Sequence, residues 1–145
     1  MKLQGSYTLP AKREAVWQLL NDPQRLAECL PGCEQLEVVG VDHYRVRLKL
    51  GMAAISGNYT GSVKLTEKKP PAWCRMSVEG QGAAGFVQGE AKIELAGEGN
   101  QTVVRYAGEA SVGGLIASVG NRMMELAARR ILEQFFANLA SQLRT

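Results

Sequence analysis

The stretch Ile55-Ser56-Gly57-Asn58-Tyr59-Thr60-Gly61-Ser62-Val63-Lys64-Leu65-Thr66 decides the fold. Ile55, Gly57, Tyr59, Gly61, Val63 and Leu65 fill one phase of a two-residue period, and polar residues fill the other. Successive side chains of a strand point to opposite faces, so this is a strand with one apolar and one wetted face. The apolar phase also carries glycine, which fills no core volume and weakens a strand. A sheet that withholds side chains from its inner face is shaped to enclose a hollow, to bend, or both.

The same pattern extends in both directions. Lys68-Lys69-Pro70-Pro71 reads as a turn, and Cys74, Met76, Val78 and Gly80 form the next inner row. Val87, Gly89, Ala91, Ile93 and Leu95 follow, then a tight turn at Gly97-Glu98-Gly99-Asn100. Val104, Tyr106, Gly108, Ala110 and Val112 end the series. Toward the N-terminus, Tyr44, Val46, Leu48 and Leu50 alternate with Arg45, Arg47 and Lys49. Before them a strand carries Leu36 and Val38 and turns at Gly40-Val41-Asp42. The first strand runs from Lys2 to Leu9, with Leu3, Gly5, Tyr7 and Leu9 on one side. These rows hold no charge, and all four tyrosines lie on them.

Helical periods occupy two places. After Pro10 a short helix, Ala11 to Leu20, buries Val16, Trp17 and Leu20. Asp22 suits an N-cap and Pro23 a first turn, so a second short helix follows, with Leu26, Cys29 and Leu30 as its face and Pro31-Gly32 as its stop. After Gly113-Gly114 a long helix is expected from about Leu115 to Leu143. Its first-half stripe, Leu115, Val119, Met123 and Leu126, lies about 150° from its second-half stripe of Leu132, Phe135, Phe136, Leu139 and Leu143 on an ideal wheel. Either a bend near Arg129-Arg130 or a first half buried on two sides would accommodate that change.

At 145 residues the chain reads as a single domain, 1–145, large enough for one core. A net charge of +3 from scattered residues argues against nucleic acid. No apolar run approaches the roughly 20 residues that span a bilayer, and Met1-Lys2-Leu3-Gln4 opens into a strand rather than a signal peptide. Cys29, Cys33 and Cys74 lack a metal-finger spacing and read as reduced cytoplasmic thiols. His43 falls in a turn beside Asp42, and no nucleophile with a neighbouring base is visible. The inner rows offer no buried general acid or base. No catalytic residue, metal site or tightly bound cofactor is expected.

The candidate cavity wall comprises Tyr7, Tyr44, Leu48, Tyr59, Gly61, Met76, Val78, Val87, Tyr106 and Gly108 from the strands. Trp17 and Leu30 join it from the short helices, and Met123, Met124 and Ala127 from the long one. Each has a plainer reading as core packing. A tyrosine hydroxyl would orient the polar head of an apolar ligand or simply reach a backbone carbonyl. Phe86, in the Gly82-Ala83-Ala84-Gly85-Phe86 loop, reads as a loop anchor, a lid or a membrane-touching wedge. Arg122, Arg129 and Arg130 read as a solvated face paired with Glu125 and Glu133, or as a contact for an acidic partner or headgroups.

This order of elements resembles the helix-grip fold of lipid-transfer (START-like), birch-pollen-allergen-like and polyketide-cyclase proteins, the SRPBCC superfamily. Within it the chain resembles the carbon monoxide dehydrogenase G-subunit family. Gly5 to Pro10, Val16-Trp17 to Asn21-Asp22-Pro23, and Cys29-Leu30-Pro31-Gly32-Cys33 carry the likeness. Gly57-Asn58-Tyr59-Thr60-Gly61, Gly80 to Gly89, and Gly120-Asn121-Arg122 leading to Phe135-Phe136 extend it over nearly the whole chain.

The resemblance implies an α+β fold, a curved seven-stranded antiparallel sheet wrapped around a long C-terminal helix, with two short helices after the first strand. It also implies a non-catalytic accessory protein, peripheral to the cytoplasmic membrane, that holds a quinone- or lipid-like molecule for a molybdenum-containing hydroxylase such as carbon monoxide dehydrogenase. Some relatives continue into a membrane-reaching tail, whereas this sequence stops at Thr145. Anchoring by a tail is therefore not expected. A cyclase- or hydrolase-like enzyme and an interaction module with a filled core remain the alternatives.

Overall fold

The computed structural model describes residues 1–51 and 55–144. Strand β1, Lys2–Leu9, ends where Pro10 removes the N–H a ladder needs. Helix α1 is Arg13–Leu20 and starts two residues later than its apolar period suggests. The delay has a cause. The Ala11 N–H donates to the Leu9 carbonyl at 3.0 Å, and the Ala11 carbonyl accepts from Thr102 Oγ1 at 2.7 Å, which holds Ala11 outside the helix. Asp22 caps helix α2, Pro23–Cys29, by accepting from the Gln24 and Arg25 N–H groups at 3.1 and 3.4 Å.

The remaining strands are β2 (Cys33–Gly40), β3 (His43–Leu50), β4 (Gly57–Lys69), β5 (Trp73–Gly82), β6 (Gly85–Glu98) and β7 (Gln101–Gly113). They form one antiparallel sheet in the order β1-β7-β6-β5-β4-β3-β2. Its register preserves the inner phase from strand to strand. Val38 faces Tyr44, Tyr44 faces Val63, Val63 faces Val78, Val78 faces Gly89, and Gly89 faces Ala110. In the adjacent row Ala91 faces Gly108 and Gly108 faces Leu3, which carries the inner phase into β1.

The inner phase carries a charge at one end, which corrects the charge-free expectation. Residues 68 and 69 belong to β4 rather than to a turn. An irregularity between Leu65 and Glu67 shifts the phase, so Lys68 stands opposite the buried Cys74. Its ammonium is 2.8 Å from Asp42 Oδ1 and 3.2 Å from Asn21 Oδ1. The pair fastens the β2–β3 turn to the end of α1.

The C-terminal region also departs from expectation. Leu115–Val119 form a 3-10 turn, and helix α3 begins only at Asn121, continuing unbroken to Leu143. The break falls at Gly120, whose φ of +91° and ψ of 155° are open to glycine alone, and not at Arg129-Arg130. The core gathers at one end of the sheet. Leu9, Val16, Leu19, Cys29, Leu95, Val104, Phe136 and Leu139 form one cluster joining β1, α1, α2, the β6–β7 hairpin and the second half of α3. Asn138 Nδ2 ties that half to α2 through the Cys29 carbonyl at 2.9 Å.

Candidate functional site

Away from this cluster the inner phase stays apolar but is not packed. Leu48, Tyr59, Val63, Leu65, Met76, Val78, Val87 and Ala91 are all half-buried, although they lie on the concave face of a continuous sheet. The apolar residues that are fully buried belong mostly to the core end. The concave face therefore has a filled end and an open end. An apolar surface curved inward and left partly uncovered is the usual form of a small-molecule site.

An aromatic plug divides the two ends. Phe136 stacks on Tyr7 at 5.1 Å between ring centroids and on Tyr106 at 5.6 Å, and Phe135 meets it edge-on at 5.4 Å. Tyr7 and Tyr106 are thus plug residues whose rings face the core. Among the described residues neither hydroxyl has a protein partner, so each is free to bond a ligand. Tyr59 is different, because its hydroxyl donates to the Ile55 carbonyl at 2.8 Å. Tyr44 is buried beside the Asp42–Lys68 pair, and burial first, then Asp42, pushes its hydroxyl pKa upward. The tyrosines thus differ in setting, and Tyr7 and Tyr106 retain spare hydrogen-bonding capacity. Trp17 packs against the core cluster, and Leu30 is half-buried at the C-terminal cap of α2.

Burial along α3 explains the stripe that changes sides. In its first half Met124, Glu125, Ala128 and Arg129 are half-buried, whereas Met123, Leu126, Arg130 and Glu133 differ in being turned toward the other flank. On an ideal wheel Glu125 and Arg129 lie within about 20° of Phe136, Ala128 about 80° and Met124 about 120° from it. The apolar stripe that includes Met123 and Leu126 faces outward, with Met123 50% and Leu126 57% exposed. No bend is required. Of the two adjacent methionines Met124 is half-buried and Met123 exposed; Ala127 is half-buried.

Arg129 pairs with Glu125 on a solvated flank of α3, as the sequence reading expects, with their side chains 42% and 44% exposed. Arg129 Nη2 is 3.2 Å from Glu125 Oε1.

Several inner glycines are needed for close approach of neighbouring groups. A Cβ at Gly61 would lie 2.5 Å from the Glu79 carbonyl oxygen, and one at Gly108 would lie 2.7 Å from that of Glu90. At Gly5 the Tyr106 ring occupies the space a side chain would fill. Neighbouring strands come too close there for any larger residue. At Gly57, by contrast, a Cβ would meet nothing within 4 Å, and at Gly80 only Val87 Cγ1 at 3.3 Å.

Two further grooves, of about 500 and 640 Å³, lie elsewhere. Outward-phase side chains dominate both, including Arg45, Ser62, Glu79 and Gln88 in one and Lys2, Arg75, Glu90 and Lys92 in the other. They are open, charged depressions of the convex face and lack the apolar, converging walls of a ligand site. His43 borders the first, at the start of β3. Among the described residues no helix is long and apolar enough to cross a membrane.

A curved antiparallel meander gripping a C-terminal helix over a partly open apolar face defines a helix-grip domain of the START-like class. A START superfamily protein from Mycobacterium smegmatis matches it with a TM-score of 0.78 over 99% of this chain and 97% of that one, at 11% identity. A protein from Chromobacterium violaceum matches with a TM-score of 0.78 over 99% and 97%, at 16% identity. A conserved protein from Geobacillus kaustophilus is far more similar, with a TM-score of 0.97, 34% identity, and 99% and 95% of the two chains covered. The chain belongs to the carbon monoxide dehydrogenase G-subunit (CoxG) family, whose model matches residues 5–144. No curated protein matches its sequence.

Proposed function

We propose that this protein carries a hydrophobic small molecule, quinone- or lipid-like, against the open end of its concave face. One observation carries the reading: Leu48, Tyr59, Met76, Val78 and Val87, on the inner phase of β3 to β6, are only half-buried, whereas the core end is fully packed. Leaving that surface partly wet is unfavourable, and a ligand that covers it recovers roughly 0.8 kcal/mol per buried CH₂. Leu48, Tyr59, Met76, Val78 and Val87 form its sheet wall, with Met124 opposite on α3. Tyr7 or Tyr106 offers a hydroxyl to the polar head. The cargo is exchangeable rather than a resident cofactor.

Family membership supports an accessory role beside a molybdenum-containing hydroxylase such as carbon monoxide dehydrogenase, at the cytoplasmic face of the membrane. The exposed Leu115, Met123 and Leu126 provide an apolar contact for that partner or for lipid. A cyclase or hydrolase is less well supported, because Glu125 is engaged by Arg129 and no nucleophile accompanies it. Native mass spectrometry of the purified protein, followed by organic extraction, tests the carrier reading. A co-purifying or loadable quinone or lipid supports it; a protein that neither retains nor takes up any such molecule refutes it.

A further inference from the structure

A short turn borders the open end of the concave face. Leu48 faces Tyr59, Tyr59 faces Gly82 and Gly82 faces Gly85, the last inner row that crosses four strands. It lies at the opposite end of β6 from Leu95 and the core cluster. The two glycines give the row no side chains of its own, and two neighbours use the space. A Cβ at Gly82 would lie 3.1 Å from the Tyr59 ring, and one at Gly85 would lie 2.8 Å from Ile116 Cγ1. Ile116 therefore reaches this row, where it is 4% exposed although Leu115, Ala117 and Ser118 beside it are exposed. Its 3-10 turn, Leu115–Val119, touches β6, β7 and α3, and so runs from the sheet to the helix.

The two neighbours are held differently. Tyr59 belongs to β4, and its hydroxyl is fixed on the Ile55 carbonyl at 2.8 Å. The Ile116 N–H donates to the Ala84 carbonyl at 2.8 Å, while the Ala117 N–H and Ser118 Oγ bond locally, to the Gly114 and Leu115 carbonyls at 3.1 and 2.6 Å. Glycine flanks the turn on both sides, with φ of +80° at Gly114 and +91° at Gly120. Hinges are a few such element-terminal residues that absorb a change of backbone angle. We propose that Leu115–Val119 is a gate over the open end of the concave face, hinged at Gly114 and Gly120 and latched by Ile116 against Gly85. Cargo then enters and leaves between this turn and the tip joining β5 to β6. This rests on the carrier reading above. One aliphatic side chain and one hydrogen bond close the gate, and both release without breaking a rung between β6 and β7. A turn that only packed would affect stability and leave the rate of ligand exchange alone.

The test follows uptake and release of N-phenyl-1-naphthylamine, an apolar fluorophore, by stopped-flow fluorescence. Ile116→Ala should raise the association and dissociation rates together by about tenfold, because truncation weakens the latch on both routes. Affinity should then stay within about threefold of wild type, since both rates change alike. Ile116→Val should shift both rates the same way by about threefold, and it serves if circular dichroism shows Ile116→Ala unfolded. Ala117→Ser, at an exposed position of the same turn, should leave both rates within about twofold. Hydrogen exchange reads the opening directly: protection of the Ile116 amide should be at least about tenfold lower than that of the β6–β7 ladder, and should rise with fluorophore bound. Unchanged rates in the folded Ile116 variants, a rise in dissociation alone, or Ile116 protection equal to the ladder's overturns the gate and leaves the carrier reading intact. A wild type that takes up no fluorophore overturns both.

Discussion

Phe136 shows how one side chain fixes both the core and the edge of the site. It is 4% exposed and stacks on two tyrosines from neighbouring strands. Phe136→Ala should cost about 3–5 kcal/mol in urea unfolding, the range for a buried aromatic. Tyr106→Phe should leave stability nearly unchanged, because its hydroxyl has no protein partner to strand, and should weaken ligand binding only where the head uses that hydroxyl. A large loss of stability in Tyr106→Phe would show that the hydroxyl is structural. Cys74 adds a pH signature. Burial pushes its thiol upward and Lys68 pulls it back; burial likewise raises Cys29. A folded pKa above the unfolded value, about 8.5, gives stability that is complete below that value and is lost as pH rises through the folded one. The urea midpoint should therefore be level near neutrality and fall in the alkaline range, with a shallower fall in Cys74→Ala. A midpoint that rises with pH would contradict the assignment.

At the scale of elements, the strands were legible and the C-terminal helix only partly so. Strand phases survive because a two-residue period is local and every row pairs with a like row, as Val63 does with Val78. The shift near Leu65 that turns Lys68 inward was not legible, since an irregularity depends on the partner strand. Nor was the purpose of Gly61, whose crowding comes from a carbonyl on β5. In α3 the apolar residues Met123 and Leu126 suggested a buried stripe, yet they face outward, 50% and 57% exposed. Hydropathy alone misassigned Met123 and Leu126 because it does not show which flank of a helix the rest of the molecule covers. Gly120 separates the 3-10 turn from α3 with a backbone that side chains disfavour, and a Cβ there would meet no atom within 4 Å. Gly120→Ala should thus cost about 1–3 kcal/mol from the backbone alone. No loss on urea unfolding would mean that the junction relaxes into continuous helix.

For the whole molecule, the decisive question is whether the open end of the concave face is empty or filled by the protein's own side chains. Substituting Gly61 or Gly108 with leucine does not answer it, because the Cβ itself would strike a neighbouring strand. Val78 is a better position. It lies on the inner phase of the central strand β5, between Val63 and Gly89, and is half-buried. Val78→Trp keeps a residue favoured in strands and sends its added volume into the concave space. With a hollow present, the indole occupies it: stability should stay within about 1 kcal/mol of wild type, and uptake of N-phenyl-1-naphthylamine should fall at least about tenfold through lost cavity volume. With a filled interior, the same change overpacks it and should cost roughly 1–3 kcal/mol, with no uptake to lose. Urea unfolding and fluorophore titration on one pair of proteins therefore separate a carrier from an interaction module.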